Sequence, residues 1–365
     1  MATSEYMSRA LALARKARFQ TSPNPMVGAV LVRDGAVLGE GFHRRAGGAH
    51  AEIGALRQAG ARARGATLYV SLEPCSHQGR TGPCTSAIIA AGVARVVVAM
   101  RDPDRRVNGH GVKELRAYGI AVEVGDGARE AEALNQRWLL SRRSGRPFVG
   151  LKFAATLDGK IAPRGRDSQW ITGVESRRRG HLLRQAYDAV AVGAGTVIAD
   201  DPELTARPDD GRRSTRQPLR VVVDGRLRVG AGARVFDTGL PGRSLLATTA
   251  AADRRRGRTL RQSGVDIRAF PGEGRVDIVG LLQSLAADGI SSVLVEGGGD
   301  LGWSFVSSGT VDQVYAFLAP KLVGGRDAVS AVDGEGFADL AGALQLRFVS
   351  RRALGGDVLL EAVPA

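Results

Sequence analysis

The chain has 365 residues, 44% of them apolar, with a mean hydropathy of −0.08 and a formal net charge of +14. That length holds two ordinary domains, each with a core of its own, and no run approaches the roughly eighteen apolar residues of a membrane span. Only five of the 51 basic residues are Lys, the Arg lie in short scattered groups such as Arg177-Arg178-Arg179, and aromatics are 5%, so no base-stacking stripe for nucleic acid is present. Solvated helix faces account for most of the surplus charge, and attraction for phosphorylated small molecules for the rest. The opening Met1-Ala2-Thr3-Ser4-Glu5-Tyr6-Met7 has no basic segment followed by an apolar one, and the two cysteines make no disulfide framework. Both features place the expected site of action in a reducing cytoplasm.

In chain order, Met7, Ala10, Leu11, Ala14 and Phe19 fall at helical spacing after Ser4, a helix cap. Thr21-Ser22-Pro23-Asn24-Pro25 ends that helix. Residues 27–32 read as a buried strand turning at Asp34-Gly35 into 37–42. A helix over 51–59, a strand over 67–72, a helix over 85–92, a strand over 96–100 and a helix–strand pair over 112–118 and 120–124 follow. This alternation implies a three-layer α/β/α domain with much of its sheet parallel. Ser141-Arg142-Arg143-Ser144-Gly145-Arg146-Pro147 is polar and broken by Gly and Pro, and is expected to be a linker between domains at 1–144 and 147–365. Beyond it, strands are expected at 148–155, 189–192, 219–223, 292–295, 311–318 and 358–362, with helices at 174–187 and 301–306.

The chemistry is concentrated between His50 and Cys84. His50-x-Glu52, then Pro74-Cys75, then Cys84 has the residue types of a zinc-dependent deaminase. His50, Cys75 and Cys84 would bind the metal, leaving its fourth position to water, while Glu52 moves protons. His50 and Cys84 fall near expected helix starts, where backbone N–H groups favour thiolate over thiol. A helix-capping His with two core cysteines is the weaker reading, since it explains neither the order nor the Pro before Cys75.

Eight residues separate the cysteines, where most such deaminases have two. The string Glu73-Pro-Cys-Ser-His-Gln-Gly-Arg-Thr-Gly-Pro-Cys84, with Asn24-Pro25-x-Val27-Gly28-Ala29-Val30 upstream, resembles the bifunctional riboflavin-biosynthesis deaminase/reductase family. The second half carries that family's reductase motifs in order: Leu151-Lys152-x-Ala154, Leu157-Asp158-Gly159, Ser168-Gln169-Trp170-Ile171-Thr172, Ala199-Asp200-Asp201-Pro202-x-Leu204-Thr205-x-Arg207, Val295-Glu296-Gly297-Gly298 and Ala319-Pro320-Lys321-Leu322. An ordinary dinucleotide fingerprint is not the reading here. On its residues alone, Glu296-Gly297-Gly298-Gly299 is either a phosphate cradle or a tight turn.

The resemblance implies a cytidine-deaminase-like domain followed by a dihydrofolate-reductase-like domain. It implies zinc in the first, NADPH in the second, a phosphorylated pyrimidine substrate, and a homo-oligomer. Carried over by motif, Ala154, Trp170, Thr196, Asp200 and the loop Gly298, Gly299, Asp300, Leu301, Gly302, Trp303 and Ser304 contact NADPH. Asn24, Ser168, Arg184, Leu204, Arg207 and Glu296 contact substrate, and the two arginines suit a dianionic phosphate. Lys152 either protonates the sugar oxygen or makes a salt bridge. Asn24 between two prolines is also an ordinary turn residue, and His43, His77 and Arg80 are weaker candidates. The chain departs from the family pattern at Asp102-Pro103-Asp104-Arg105 and Val107-Asn108-Gly109-His110-Gly111, which bears on that loop's substrate contacts and leaves the zinc chemistry alone. Two other readings compete: a nucleic-acid base deaminase, and a second half that serves only for dimerisation or binding.

Overall fold

Ser4 starts the fold by accepting the Met7 N–H, 3.4 Å away, which caps α1 (Glu5–Arg15). The structure, a computed structural model, describes residues 3–17, 20–78, 82–104, 107–165, 170–207 and 212–365. Phe19, Arg80, Arg105, Ser168 and Gln169 lie outside the described residues. The chain divides into two compact units, Met1–Gly145 and Arg146–Ala365.

After α1, the first unit runs β1 (Gly28–Arg33), β2 (Ala36–Phe42), α2 (Ala51–Ala59), β3 (Thr67–Val70), α3 (Cys84–Ala90), β4 (Arg95–Val98), α4 (His110–Ala117), β5 (Ala121–Val124), α5 (Ala128–Leu134) and α6 (Gln136–Ser144). The sheet order is β2-β1-β3-β4-β5; β1 pairs antiparallel with β2 and β3, and β3-β4-β5 are parallel. Strand side chains alternate between faces. Ala29, Leu31, Leu68, Val70, Val96 and Val98 pack with Ala51, Ala55, Ile88 and Leu115 on one face. Val30 and Val97 pack with Met7, Leu11, Trp138 and Leu139 on the other. These are the three layers.

Glycines set how closely the helices lie. A Cβ at Gly39 would stand 2.2 Å from Ala55 O and one at Gly41 2.1 Å from Ala51 O, so α2 rests directly on bare backbone of β2. That contact fixes the height of the first turn of α2, which carries His50 and Glu52. The expected linker is shorter than its composition indicates. Ser141–Ser144 belong to α6, which ends at Gly145 with φ 69°. Buried Trp138 and Leu139 hold that helix to the sheet, and the arginines 142 and 143 are its solvated face.

The second unit comprises β6 (Phe148–Thr156), β7 (Lys160–Ala162), α7 (Val174–Ala186), β8 (Ala189–Gly193), α8 (Ala194–Asp200), β9 (Leu219–Val223), β10 (Ser244–Thr249), α9 (Arg254–Gln262), β11 (Ile267–Phe270), α10 (Ile278–Ala287), β12 (Ser292–Glu296), α11 (Gly299–Ser307), β13 (Gln313–Ala319), β14 (Val329–Ser330), β15 (Leu346–Leu354) and β16 (Asp357–Pro364). Nine strands form one sheet in the order β11-β10-β9-β8-β12-β6-β13-β16-β15, parallel from β11 to β13 and antiparallel beyond. β12 is buried along its whole length between β8 and β6, which is why it reads as an unbroken apolar run. Its register places Glu296 beside Lys152 of β6, and the next strand places Tyr315 beside the same lysine.

Candidate active sites

His50 stands at the N-cap of α2, Cys84 opens α3, and Cys75 lies in the segment between β3 and α3. Their ligand atoms all fall within 4.8 Å of one another, the one such group among the described residues. His50 Nδ1 is 3.2 Å from Cys84 Sγ and 3.6 Å from Cys75 Sγ. The Cys84 N–H, at the start of α3, donates to Cys75 Sγ over 3.4 Å. The two sulfurs share a proton: the hydrogen bond from Cys84, helped by His50, brings Cys75 down to about 4, while the same bond and burial push Cys84 up. A divalent cation set between them would take the place of that proton, and the convergent donor set of one nitrogen and two sulfurs fits zinc.

Glu52, in the first turn of α2, is 3% exposed. Burial raises its carboxyl above the ordinary value, which eases its taking up a proton. Buried His43 lies edge-on to His50 at 5.4 Å between ring centroids. Its Nδ1 faces Ala49 O at 3.1 Å and its Nε2 faces Asn24 Nδ2 at 3.1 Å. Ala49 O can only accept, so the neutral ring carries its proton on Nδ1 and receives the Asn24 amide on Nε2. Burial, which lowers the His43 pKa, keeps it in that form. Asn24 is thereby oriented by a histidine as well as by its flanking prolines. His77 Nδ1 is buried without a hydrogen-bond partner among the described residues.

In the second unit Arg184 of α7 grips Glu296 with its fork, Nε to Oε1 at 2.9 Å and Nη2 to Oε2 at 2.8 Å. Lys152 Nζ is 3.8 Å from Glu296 Oε2 and 5.6 Å from the centre of the Phe317 ring. Burial would push the Glu296 carboxyl up, but Arg184 and Lys152 outweigh it and hold it at about 2. Burial, reinforced by Arg184, lowers the Lys152 ammonium against the pull of Glu296. Arg184 Nη1 also donates to Thr205 O at 3.2 Å. Its fork is therefore engaged by protein, which the expectation of a phosphate clamp did not anticipate. Arg207 is the more open of the two, with 32% of its side chain exposed; it donates to Glu203 at 2.7 Å, and its backbone N–H donates to His181 Nδ1 at 3.2 Å. Leu204 is buried with φ 56°, so only its backbone is presented.

The two glycine turns meet. Thr196 of α8 lies against the Gly297-Gly298 turn, where an added Cβ would come 3.1 Å from its Oγ1 at Gly298, and both glycines have φ above +80° or at it. Gly298 caps α11, and Gly299 is its first residue. Leu301 and Trp303 are core residues: Leu301 joins the cluster around Phe305, and Trp303 lies under Gly334 and edge-on to Phe337 at 5.0 Å. Only their backbone is free to face a cofactor. Ser304 Oγ donates to Asp300 O at 2.9 Å. Ala154 follows Lys152 on the same face of β6, Asp200 ends α8, and Trp170 is exposed with the Arg177 guanidinium stacked 4.5 Å above it. Sequence reading missed a cleft of about 420 Å³ beyond the C-terminal ends of β9 and β10, lined among others by Gly225, Arg226, Thr249 and Gly274. Its signal is the pairing Gly225/Gly274, where a Cβ on the first would meet the carbonyl of the second at 2.3 Å.

Residues 1–100 match the cytidine and deoxycytidylate deaminase zinc-binding region, and residues 147–360 match the RibD C-terminal domain. The riboflavin biosynthesis protein RibD of Escherichia coli is 43% identical over 99% of both chains, and that of Bacillus amyloliquefaciens 41% identical over 98% of this chain and 95% of its own. The chain belongs to the RibD family. Solved structures agree: RibD of Acinetobacter baumannii superposes with a TM-score of 0.89 at 37% identity, covering 99% of this chain and 98% of its own. The Thermotoga maritima deaminase/reductase gives 0.85 at 36%, with the same coverage. The chain is thus a bifunctional deaminase and reductase of riboflavin biosynthesis, with a zinc-binding cytidine-deaminase-like domain and an NADPH-dependent domain of dihydrofolate-reductase-like fold. No helix among the described residues is long and apolar enough to cross a membrane.

Proposed function

We propose that residues 1–144 deaminate 2,5-diamino-6-(5-phosphoribosylamino)pyrimidin-4-one and that residues 147–365 then reduce the ribosyl group of the aminouracil product to a ribityl chain. The observation that carries this reading is that one unit gathers His50, Cys75 and Cys84 and the other, by itself, gathers Lys152, Glu296 and Arg184. The T. maritima protein of like fold is named for both reactions.

His50, Cys75 and Cys84 hold zinc, which when bound acts as a Lewis acid on water. Glu52 takes one proton from the attacking water and gives it to the ring nitrogen, then carries the second proton of that water to the departing ammonia. Asn24, held by His43, orients the pyrimidine. In the second unit NADPH, when bound, supplies hydride. Lys152 gives a proton to the sugar ring oxygen as the bond from that oxygen to the anomeric carbon breaks. Glu296 keeps Lys152 in place, Arg184 keeps Glu296 ionised, and Arg207 with Ser168 receives the phosphate. The Thr196/Gly298 turn presents backbone N–H groups to the cofactor diphosphate, and the cleft beside Arg226 takes the far end of the dinucleotide. Asp200, Ala154 and Trp170 line the same cofactor.

A coupled assay tests the whole: supplied with the pyrimidine ribotide, the zinc protein releases ammonia and then oxidises NADPH. NADPH loss without ammonia release would overturn the order of the steps. Stripping the metal with a chelator abolishes ammonia release but spares NADPH oxidation when the deaminated ribotide is supplied. Reloading zinc near neutral pH releases protons, measurable with a pH indicator, because Cys84 gives its proton up.

The enzyme works in the cytoplasm, where its two site cysteines stay reduced, and as a homo-oligomer. Support for the latter comes from β15, an edge strand with Leu346, Phe348 and Val349 exposed at 42%, 51% and 46%. Phe348→Glu is expected to lower the mass measured by light scattering; an unchanged mass would remove β15 from the interface.

A further inference from the structure

Glu73 belongs to the Glu73-Pro74-Cys75 run, yet its side chain has no part in the chemistry above. It is 3% exposed, and its carboxylate is engaged by backbone: Oε2 accepts the N–H of Asp102 at 3.3 Å and of Gly109 at 3.0 Å, and Oε1 that of Val112 at 3.1 Å. All three donors lie in one segment, from the end of β4 into α4. The Glu73 N–H is fastened in turn to Met100 O, 3.0 Å away. Within the same segment Gly111 rests directly on the run, since a Cβ there would stand 2.1 Å from Pro74 O.

The segment pinned in this way holds Asp102, whose half-buried carboxyl is raised to about 6 by burial and whose Oδ1 accepts the Asp104 N–H at 2.8 Å. A turn alone needs no buried carboxylate, because water or a carbonyl satisfies loop N–H groups at less cost. A carboxylate with three backbone donors fixes position, and it does so two residues from a metal ligand.

We propose that Glu73 is a positioning residue of the deaminase site: it holds the backbone at Asp102, Gly109 and Val112 against the Cys75 turn as a wall of the pyrimidine pocket. The inference rests on reading His50–Cys84 as that site. Gln keeps one acceptor but turns an amide N–H₂ towards backbone donors, so one side of the latch opens.

The test uses the full zinc-loaded chain and the Glu73→Gln, Glu73→Ala and Gly111→Ala variants. For each, zinc per chain, kcat and KM for ammonia release, and NADPH oxidation on the deaminated ribotide are measured. Glu73→Gln is expected to raise the deaminase KM about tenfold and Glu73→Ala about a hundredfold, with zinc content and reductase rate unchanged. Gly111→Ala, which pushes the segment off Pro74, raises KM in the same way, and combining it with Glu73→Ala adds little. A KM that stays at the wild-type value in Gly111→Ala, or in any Glu73 variant retaining zinc, overturns the proposal, even if kcat or thermal stability falls. Zinc content reports whether the deaminase unit has folded, and Gly111→Ala decides the matter if neither Glu73 variant retains zinc. Failure of the deaminase reading itself shows separately, as wild-type protein that releases no ammonia.

Discussion

Glu52→Gln is expected to slow ammonia release by about a thousandfold or more while the chain keeps its zinc and its reductase rate. Glu52 sits in the first turn of α2, two residues from His50 and 3% exposed. Burial raises its carboxyl, which lets one group both accept a proton from water and deliver it to the substrate. Gln fills the same volume and can still accept a hydrogen bond, but it carries no proton. Because it also removes a buried acid, the fold is not weakened. Metal analysis and an ammonia assay on the same sample decide the point. Activity within tenfold of wild type, with zinc retained, would strip Glu52 of its role.

The second large effect is at Lys152. Lys152→Met is expected to slow reduction on the order of 10²–10³-fold, with deamination and NADPH binding preserved. Methionine keeps the apolar stem beside Phe317, and Glu296 stays paired through the two bonds from Arg184, so structure is not the cause of the loss. The pH profile gives a further check. In the proposed role Lys152 is the acid, and burial together with Arg184 lowers its pKa. Reduction therefore falls off on the alkaline side at a pH below that of an ordinary lysine, and Lys152→Arg moves the limb upward. Loss of deamination in Lys152→Met would show that the two sites depend on one another. Full reduction would leave Lys152 as no more than the second cation on Glu296.

Much of this protein is legible without coordinates, for physical reasons. A zinc deaminase needs a nitrogen, two thiolates and a mobile proton in a small volume, and few residue types can supply them, so His50, Glu52, Cys75 and Cys84 announce themselves. The buried parallel strands do so too: β8 and β12 must be apolar on both faces, and runs such as Val293-Leu294-Val295 have no other use. Elements with no such constraint escaped. α9 carries Arg254-Arg255-Arg256 in its first turn with only Gly257 and Leu260 buried, and β15 alternates nothing because almost every position on it is exposed.

What only the tertiary structure decided is which polar groups satisfy one another. Arg184 and Glu296 are 112 residues apart, and no spacing rule could show that the arginine's fork closes on that carboxylate. The motif that places Leu301 and Trp303 beside a cofactor is equally blind to the core that takes up their side chains. Glu73 is the clearest case. Sequence puts it next to a zinc ligand, but its three partners come from a loop 29 to 39 residues later, brought there by the parallel pairing of β3 with β4. Local pattern fixes the identity of groups that must meet a metal; the long-range pairing of strands fixes which of the remaining charges hold them there.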